Sequence, residues 1–364
     1  MRIHTSFLLL CAASAQNANL SAPFTEPPLS ALDGVVTVYA TVSFLKIANI
    51  DVVSATFYAD YYLYLAWRDD RIAGLATLPT DLWIADPERI NAADGTSVSL
   101  DPSVTVTQGA PTWLTSTLSS AATAGAWITV WARLSGKLDG VFDLREFPFD
   151  SQSAQVIIES KNFDAAVLVW AFQRDVATDS MPATLSVDGW ETTSVVPVVK
   201  PQPYPAFGQT YSRFSLSVNL RRRPTYFVSK YVLNVSMIVI VALTMSFFML
   251  PTAPDRIASS FAAYCAIISW IFVLVNQVPV LGYNTRLDNF MTAAFVCTFG
   301  LALFNGMRLQ QGRRVAAAVA PDSGPPKTAS LATDGCRVLD AGGHAAIALA
   351  FGVAALSALF APIK

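Results

Sequence analysis

Histidine is nearly missing from this chain and cysteine is scarce: His4 and His344 are the two histidines, and there are four cysteines in 364 residues. Two histidines so far apart offer no plausible catalytic base, which argues against imidazole acid–base chemistry. There is no Gly-rich phosphate loop, no metal-ligand cluster and no internal repeat. No nucleophile–base constellation emerges, so neither an enzyme nor a cofactor is expected. Charge is sparse as well. Asp, Glu, Lys and Arg supply 14% of residues against 53% hydrophobic, and the net charge is −2. That balance implies no nucleic-acid partner and is too apolar for an ordinary soluble enzyme.

The apolar excess is uneven. Residues 30–220 carry alternation and turn residues, while most of the excess follows Tyr231. At the start, Arg2 and His4, the apolar Phe7–Ala13 and the Ala13-Ser14-Ala15 triplet read as a secretory signal over 1–15. Its removal would take Cys11 with it. Cys265, Cys297 and Cys336 all lie in or after the apolar half, so the exported half is expected to hold no disulfide. Asn19-Leu20-Ser21 matches a glycosylation sequon.

Four stretches are apolar enough for spans, at about 231–250, 257–278, 290–309 and 345–363. Pro251 and Pro254 interrupt the first two, and Pro279 ends the second. An exported N-terminus and four spans place both termini outside a cell membrane, extracellular or periplasmic. The third–fourth connection, 310–343, is then a cytoplasmic linker with Arg313, Arg314, Lys327 and Arg337, and its Ala, Pro, Gly and Ser content reads as flexible. Upstream, Val36, Val38, Ala40 and Val42 share one face, and Phe57, Ala59, Tyr61, Leu63 and Leu65 share another. Short strand-like runs recur at 127–133, 155–159, 192–199 and 212–222, which suggests a β-sandwich.

Asp143-Leu144-Arg145-Glu146-Phe147-Pro148-Phe149-Asp150-Ser151-Gln152 resembles the signature loop of the Cys-loop receptor superfamily, the pentameric ligand-gated ion channels. Gly140 and Ala154 stand where animal members place the flanking cysteines, as in cysteine-free, prokaryotic-type members. Asp81–Asp86 followed by Asn91–Asp94 resembles the family's W-x-P-D…N segment, with Ala85 in place of proline. Ile50 to Asp69 resembles the first two strands, and Leu220–Phe227 the entry to the first span. The resemblance implies an immunoglobulin-like all-β extracellular sandwich of about ten strands over 16–227. A four-helix transmembrane bundle over 228–364 would follow, forming a homopentamer around a central pore. It makes Asp150 and Arg222 partners, puts Asp51 near them, and has Phe147, Pro148 and Phe149 press on the second–third connection, residues 279–285.

On the second span, Asp255, Ala258, Ala262, Cys265, Ser269, Phe272 and Asn276 recur at steps of three and four, forming one mostly small or polar stripe. Spacing alone fits either a water-facing side or a helix-packing face; the resemblance makes it the pore lining. Asp255 would then form a carboxylate ring that favours monovalent cations. Pro254 beside it leaves an anion-selective channel open, and a non-conducting anchored sensor is the reading from another class. The resemblance places a small-molecule or ionic ligand between subunits, against Tyr62, Phe163, Tyr204, Phe207 and Tyr211, and the helices against the lipid bilayer.

Overall fold

Val36, Val38, Ala40 and Val42 are all buried while Thr37 and Tyr39 between them are half-exposed, as the period of two requires of a strand with one wet face. The same holds for Phe57, Ala59, Tyr61, Leu63 and Leu65. The computed structural model describes residues 23–29, 34–75, 79–93, 103–114, 118, 123–172, 187–249, 252–275, 278–318 and 328–360. The expected signal with Cys11, the Asn19 sequon, Asp94 and Asn276 lie outside the described residues. The chain divides into two compact units: Met1–Phe142 with Gln152–Arg221, and Asp143–Ser151 with Arg222–Lys364. A single expected boundary after residue 227 does not anticipate that 143–151 groups with the helices.

In the first unit the described residues form nine strands: β1 (Val36–Asp51), β2 (Thr56–Arg68), β3 (Pro87–Arg89), β4 (Ser103–Gln108), β5 (Ala126–Asp139), β6 (Ser151–Ser160), β7 (Leu168–Phe172), β8 (Trp190–Tyr204) and β9 (Gln209–Arg222). One sheet runs β4-β5-β2-β1-β7 and the other β3-β6-β9-β8. β2 and β5 pair antiparallel without a break from Thr56↔Asp139 to Arg68↔Trp127. β1 and β7 pair in parallel, so the sheet is mixed. One cluster joins the inner faces: Val38, Phe57 and Val130 from the first sheet meet Val156, Phe214 and Leu216 from the second. Hydrophobic burial between two sheets is the main cohesion of such a sandwich, and residues 16–227 hold no cysteine.

A buried ion pair fixes the start of this unit. Arg71 donates to Asp69 through Nε at 2.8 Å and Nη2 at 2.8 Å, and both side chains are almost wholly buried. Its remaining donors reach the Pro23 carbonyl at 2.7 Å and the Glu26 carbonyl at 3.0 Å, tying residues 23–26 to the turn after β2.

The second unit holds α1 (Thr225–Phe248), α2 (Ala253–Val275), α3 (Arg286–Ala318) and α4 (Thr328–Phe360). Among the described residues, three stretches are long and apolar enough to cross a membrane: Thr225–Phe248, Pro254–Val275 and Arg286–Gln311. The fourth expected span corresponds to a shorter apolar helical segment, Gly342–Ala358. Pro254 does not break a helix here; it sits in the first turn of α2, where its missing N–H costs nothing. Helix also enters the expected flexible linker 310–343 from both sides. Ala316–Ala318 continue α3, as their high propensity allows, and residues 319–327 lie outside the described residues.

Arg71→Ala is expected to lower the stability of the sandwich by about 3–5 kcal/mol, because it leaves Asp69 buried without its cation. Denaturant unfolding followed by tryptophan fluorescence measures this, and a loss below about 1 kcal/mol would show the pair to be dispensable.

Candidate functional site

An α-helix begins with four backbone N–H groups that its own turns cannot satisfy. In α3 these belong to Thr285, Arg286, Leu287 and Asp288, and every one has a partner. Arg286 donates to the Arg145 carbonyl at 3.0 Å and Leu287 to the Phe147 carbonyl at 3.2 Å. Asp288 donates to Thr285 Oγ1 at 3.1 Å, and Asn289, donating to the Thr285 carbonyl at 3.1 Å, makes the first of the helix's own bonds. Thr285 returns the favour: its N–H and hydroxyl donate to the Asp288 carboxylate at 2.9 and 2.8 Å. Thr285-x-x-Asp288 is therefore a capping box, and the 143–151 loop completes the cap with its own carbonyls.

The loop makes further contacts within the same unit. The Tyr283 hydroxyl accepts from the Leu144 N–H at 3.0 Å, and Arg145 lies over the Tyr283 ring at 5.2 Å. Arg286 Nη2 donates to Glu146 Oε1 at 2.8 Å. The loop thus meets residues 283–287, the end of the expected 279–285 contact and the start of α3.

Asp150 and Arg222 form the pair expected of them. Arg222 Nε donates to Asp150 Oδ1 at 2.7 Å and Nη2 to Oδ2 at 3.1 Å, a two-pronged geometry. The Arg222 N–H also donates to the Asp150 carbonyl at 3.0 Å. Asp150 is 1% exposed and the Arg222 side chain 10%, so water does little to screen the attraction. The guanidinium lies over the Phe147 ring at 4.9 Å and the Phe227 ring at 5.8 Å, and those rings meet edge to face at 4.6 Å. Phe147 is fully buried. Pro148 follows it in the turn, and Phe149 closes the turn by donating its N–H to the Glu146 carbonyl at 2.8 Å. The pair joins two of the points where the chain passes between units, beside Ser151/Gln152 and Arg221/Arg222.

Asp51, in the first unit, caps its own turn. It accepts from the N–H groups of Val53 at 2.9 Å and Ser54 at 3.2 Å, and from the Ser54 hydroxyl at 2.7 Å. The Ser54 hydroxyl bond is the chief reason its carboxyl is held below the ordinary aspartate value.

On α2, Asp255, Ala258, Ala262, Cys265, Ser269 and Phe272 are all exposed along one side, while Ser260, Ile267 and Leu274 are buried on others. A smooth exposed stripe on one chain can meet water, lipid or another copy. Asp255 has a second duty. It exchanges hydrogen bonds with the Thr252 hydroxyl, which caps the start of α2 as Thr285 caps α3.

The five aromatic candidates separate. Tyr204 and Tyr211 close the β8–β9 hairpin and meet edge to face at 5.6 Å. Phe207 stands at the exposed tip between them. Tyr62 lies in the other sheet beside Tyr64 and Trp131, at 6.0 and 5.9 Å. Phe163 packs on Trp83 at 5.8 Å, against the core. The residues that sequence reasoning missed are Glu159 and Arg213. The buried Glu159 accepts from the Tyr204 hydroxyl at 2.9 Å and from Arg213 Nε. Arg213 Nη2 donates to the Tyr204 hydroxyl at 3.1 Å. Burial, then the Glu159 bond, raises the Tyr204 phenol above its ordinary value. Alternation along β6 and β9 puts Glu159 and Arg213 out of phase with the core residues Ile158 and Phe214, and it does not say which residues meet on that other face. Among the described residues, no group of three or more His, Cys, Asp or Glu side chains could hold a metal.

Arg222→Ala should destabilise the helical unit by about 3–5 kcal/mol, since it strands a buried carboxylate. Adding Asp150→Asn should recover part of that loss. A double-mutant cycle on the detergent-solubilised chain reads the coupling, and a value below about 0.5 kcal/mol would mean the two residues act independently.

No protein-family model matches the chain. A proton-gated ion channel of Gloeobacter violaceus is 22% identical over 233 residues, covering 60% of this chain and 58% of that protein. The chain therefore spans under two thirds of that relative's length, and over the matched stretch it is similar to a proton-gated ion channel.

Proposed function

We propose that the chain is one subunit of a ligand-gated ion channel, with five copies of α2 lining a central pore. The carrying observation is the exposed Asp255-to-Phe272 stripe on a helix long enough to span a bilayer. It is the least bulky side of α2 until Phe272, which would narrow the path hydrophobically. Asn276, the outermost member of the stripe, would add a neutral ring above it. The likeness to a proton-gated ion channel supports the same reading.

Chain connectivity supports a coupling route. β6 and β9 lead directly into Asp150 and Arg222, whose ion pair ties the two strand ends together. The loop ending at Asp150 supplies two of the carbonyls that cap α3, next to the connection that follows α2. Movement of β6 and β9 on ligand binding would pull on that cap. Phe147, Pro148 and Phe149 hold the turn between the ion pair and the cap, and Asp51 is proposed to act alongside them. Tyr62, Phe163, Tyr204, Phe207 and Tyr211 are proposed to face the ligand between subunits. The Glu159–Arg213–Tyr204 cluster suits a small ionic ligand better than an apolar one. A proton is the simplest such ligand, given what the relative's name states.

Cation selectivity is proposed from a ring of Asp255 carboxylates, which would concentrate cations at the mouth of the pore. A second reading has support in the Thr252–Asp255 cap: Asp255 would serve only to start α2, and selectivity would be set elsewhere. Reversal potentials in a NaCl gradient across bilayers holding the purified chain separate the two. Asp255→Asn keeps a hydrogen-bonding cap and removes the charge, so the first reading expects the cation-to-anion permeability ratio to fall several-fold. An unchanged ratio removes the carboxylate ring. No current under any ligand, with an assembly other than fivefold, would replace the channel with an anchored sensor.

A further inference from the structure

Polar side chains are expensive inside an apolar helix bundle unless each donor and acceptor is matched. Ser246, Ser260, Asn305 and His344 come one each from α1, α2, α3 and α4, and all are buried, His344 at 4% exposure. Ser246 Oγ lies 2.8 Å from His344 Nε2 and 3.1 Å from Asn305 Oδ1. Asn305 Nδ2 donates to Ser246 Oγ at 2.8 Å and to Ser260 Oγ at 2.9 Å. Ser260 passes its hydroxyl hydrogen to the Arg256 carbonyl at 2.8 Å. One continuous set of hydrogen bonds therefore links all four helices.

The local backbone is shaped around it. Ser246 sits in a widened helical turn, Met245–Met249, of the kind often found at functional positions. Phe247 and Phe304 pack on the imidazole at 5.5 and 5.1 Å. Gly343 has no Cβ where the Phe304 ring lies, and any larger residue would collide with that ring. Small residues allow helices in a membrane to approach this closely.

Hydrogen counting gives this set two arrangements. The Ser246 hydroxyl has one hydrogen to give. With Asn305 donating to it, that hydrogen goes either to His344 Nε2 or to Asn305 Oδ1. The first requires Nε2 to be bare, as in the neutral Nδ1–H tautomer, whereas a neutral ring with its hydrogen on Nε2 takes the second. An imidazolium carries N–H at both nitrogens, so Nε2 must then donate to Ser246 and the Ser246 hydrogen must turn to Asn305.

We propose that His344 is a proton-binding site within the helical unit, and that a bound proton locks the hydrogen bonds tying the four helices together in one direction. Ser246 and Phe247 from α1 and Phe304 from α3 face the ring, with Asn305 of α3 reached through Ser246 and Ser260 of α2 through Asn305. The charged residues about one turn away along these helices are Arg256 on α2, Arg308 on α3 and Asp340 on α4. The proposal deepens the proton-responsive channel reading and rests on α1 to α4 being its membrane helices. Its first test does not depend on conduction.

The full chain, labelled with 15N-histidine and reconstituted in lipid bilayers, is followed by imidazole nitrogen resonances from about pH 4 to about pH 9. His4 is the only other histidine in the sequence, so the resonances lost in His344→Gln identify the site. They are expected to move between neutral and cationic positions within that range. Ser246→Ala is expected to change the proton affinity by about threefold or more, the scale of one hydrogen bond. The thermal unfolding midpoint of the unmodified chain is expected to vary with pH in a way that His344→Gln abolishes. Resonances fixed across the range, or equal pH dependence of unfolding in both chains, overturn the proposal. Should His344→Gln not assemble, an unchanged imidazole titration in Ser246→Ala overturns it. Proton-gated current with a fixed imidazole removes this site and keeps the channel; a titrating imidazole without current does the reverse.

Discussion

The first turn of α3 presents backbone N–H groups that no helix can satisfy for itself, and a loop from elsewhere in the sequence accepts two of them. That loop, 143–151, offers the carbonyls of Arg145 and Phe147, while Thr285 and Asp288 take the rest. Its last residue but one, Asp150, is buried and held by the two-pronged Arg222. Phe147 fills the space beneath the guanidinium and stacks edge to face on Phe227. Each part constrains the others. Without the ion pair the loop would bury a lone carboxylate, and without the loop carbonyls α3 would start with unmet donors. This explains why a short segment flanked by strands groups with the helices.

The two units are held by different physics. The sandwich relies on apolar burial between sheets, with alternating residues from both contributing to a single core. Its polar fixtures, such as Arg71 on Asp69, fasten segments rather than build the core. In the helical unit, apolar side chains gain little from leaving lipid for protein, so packing and hydrogen bonding must bring helices together. The Ser246–Asn305–Ser260–His344 set does this with one side chain from each helix. Such a set has few equivalent arrangements, and that makes it able to respond to the gain or loss of one hydrogen.

The helix starts show how two levels of structure share residues. Thr252 caps α2 through Asp255, and Thr285 caps α3 through Asp288. Both follow the same Thr-x-x-Asp spacing. One places its acid at the end of the exposed stripe on α2, and the other sits against the 143–151 loop. An acid that stabilises a helix N-terminus by charge and hydrogen bonding also fixes where that charge stands.

Much of this could be read from the chain alone. The alternation of Val36 to Val42 and Phe57 to Leu65 identified buried strand faces, because a strand's side-chain period is set by covalent geometry. Of the four apolar runs read as spans, three fall on helices long and apolar enough to cross a bilayer and the fourth on a shorter one, and the steps of three and four on α2 identified residues that share its exposed side. The helix boundaries were less legible. Pro254 read as a breaker, although a first turn tolerates it, and α3 begins at Arg286 because of a cap that hydropathy does not register. Which residues meet across the fold was decided by tertiary structure. Asp150 and Arg222 are far apart in sequence, as are Glu159 and Arg213, and Ser246 and His344. Local pattern fixes which way a side chain points; what it meets there depends on how separate segments pack, and no periodicity within one segment carries that information.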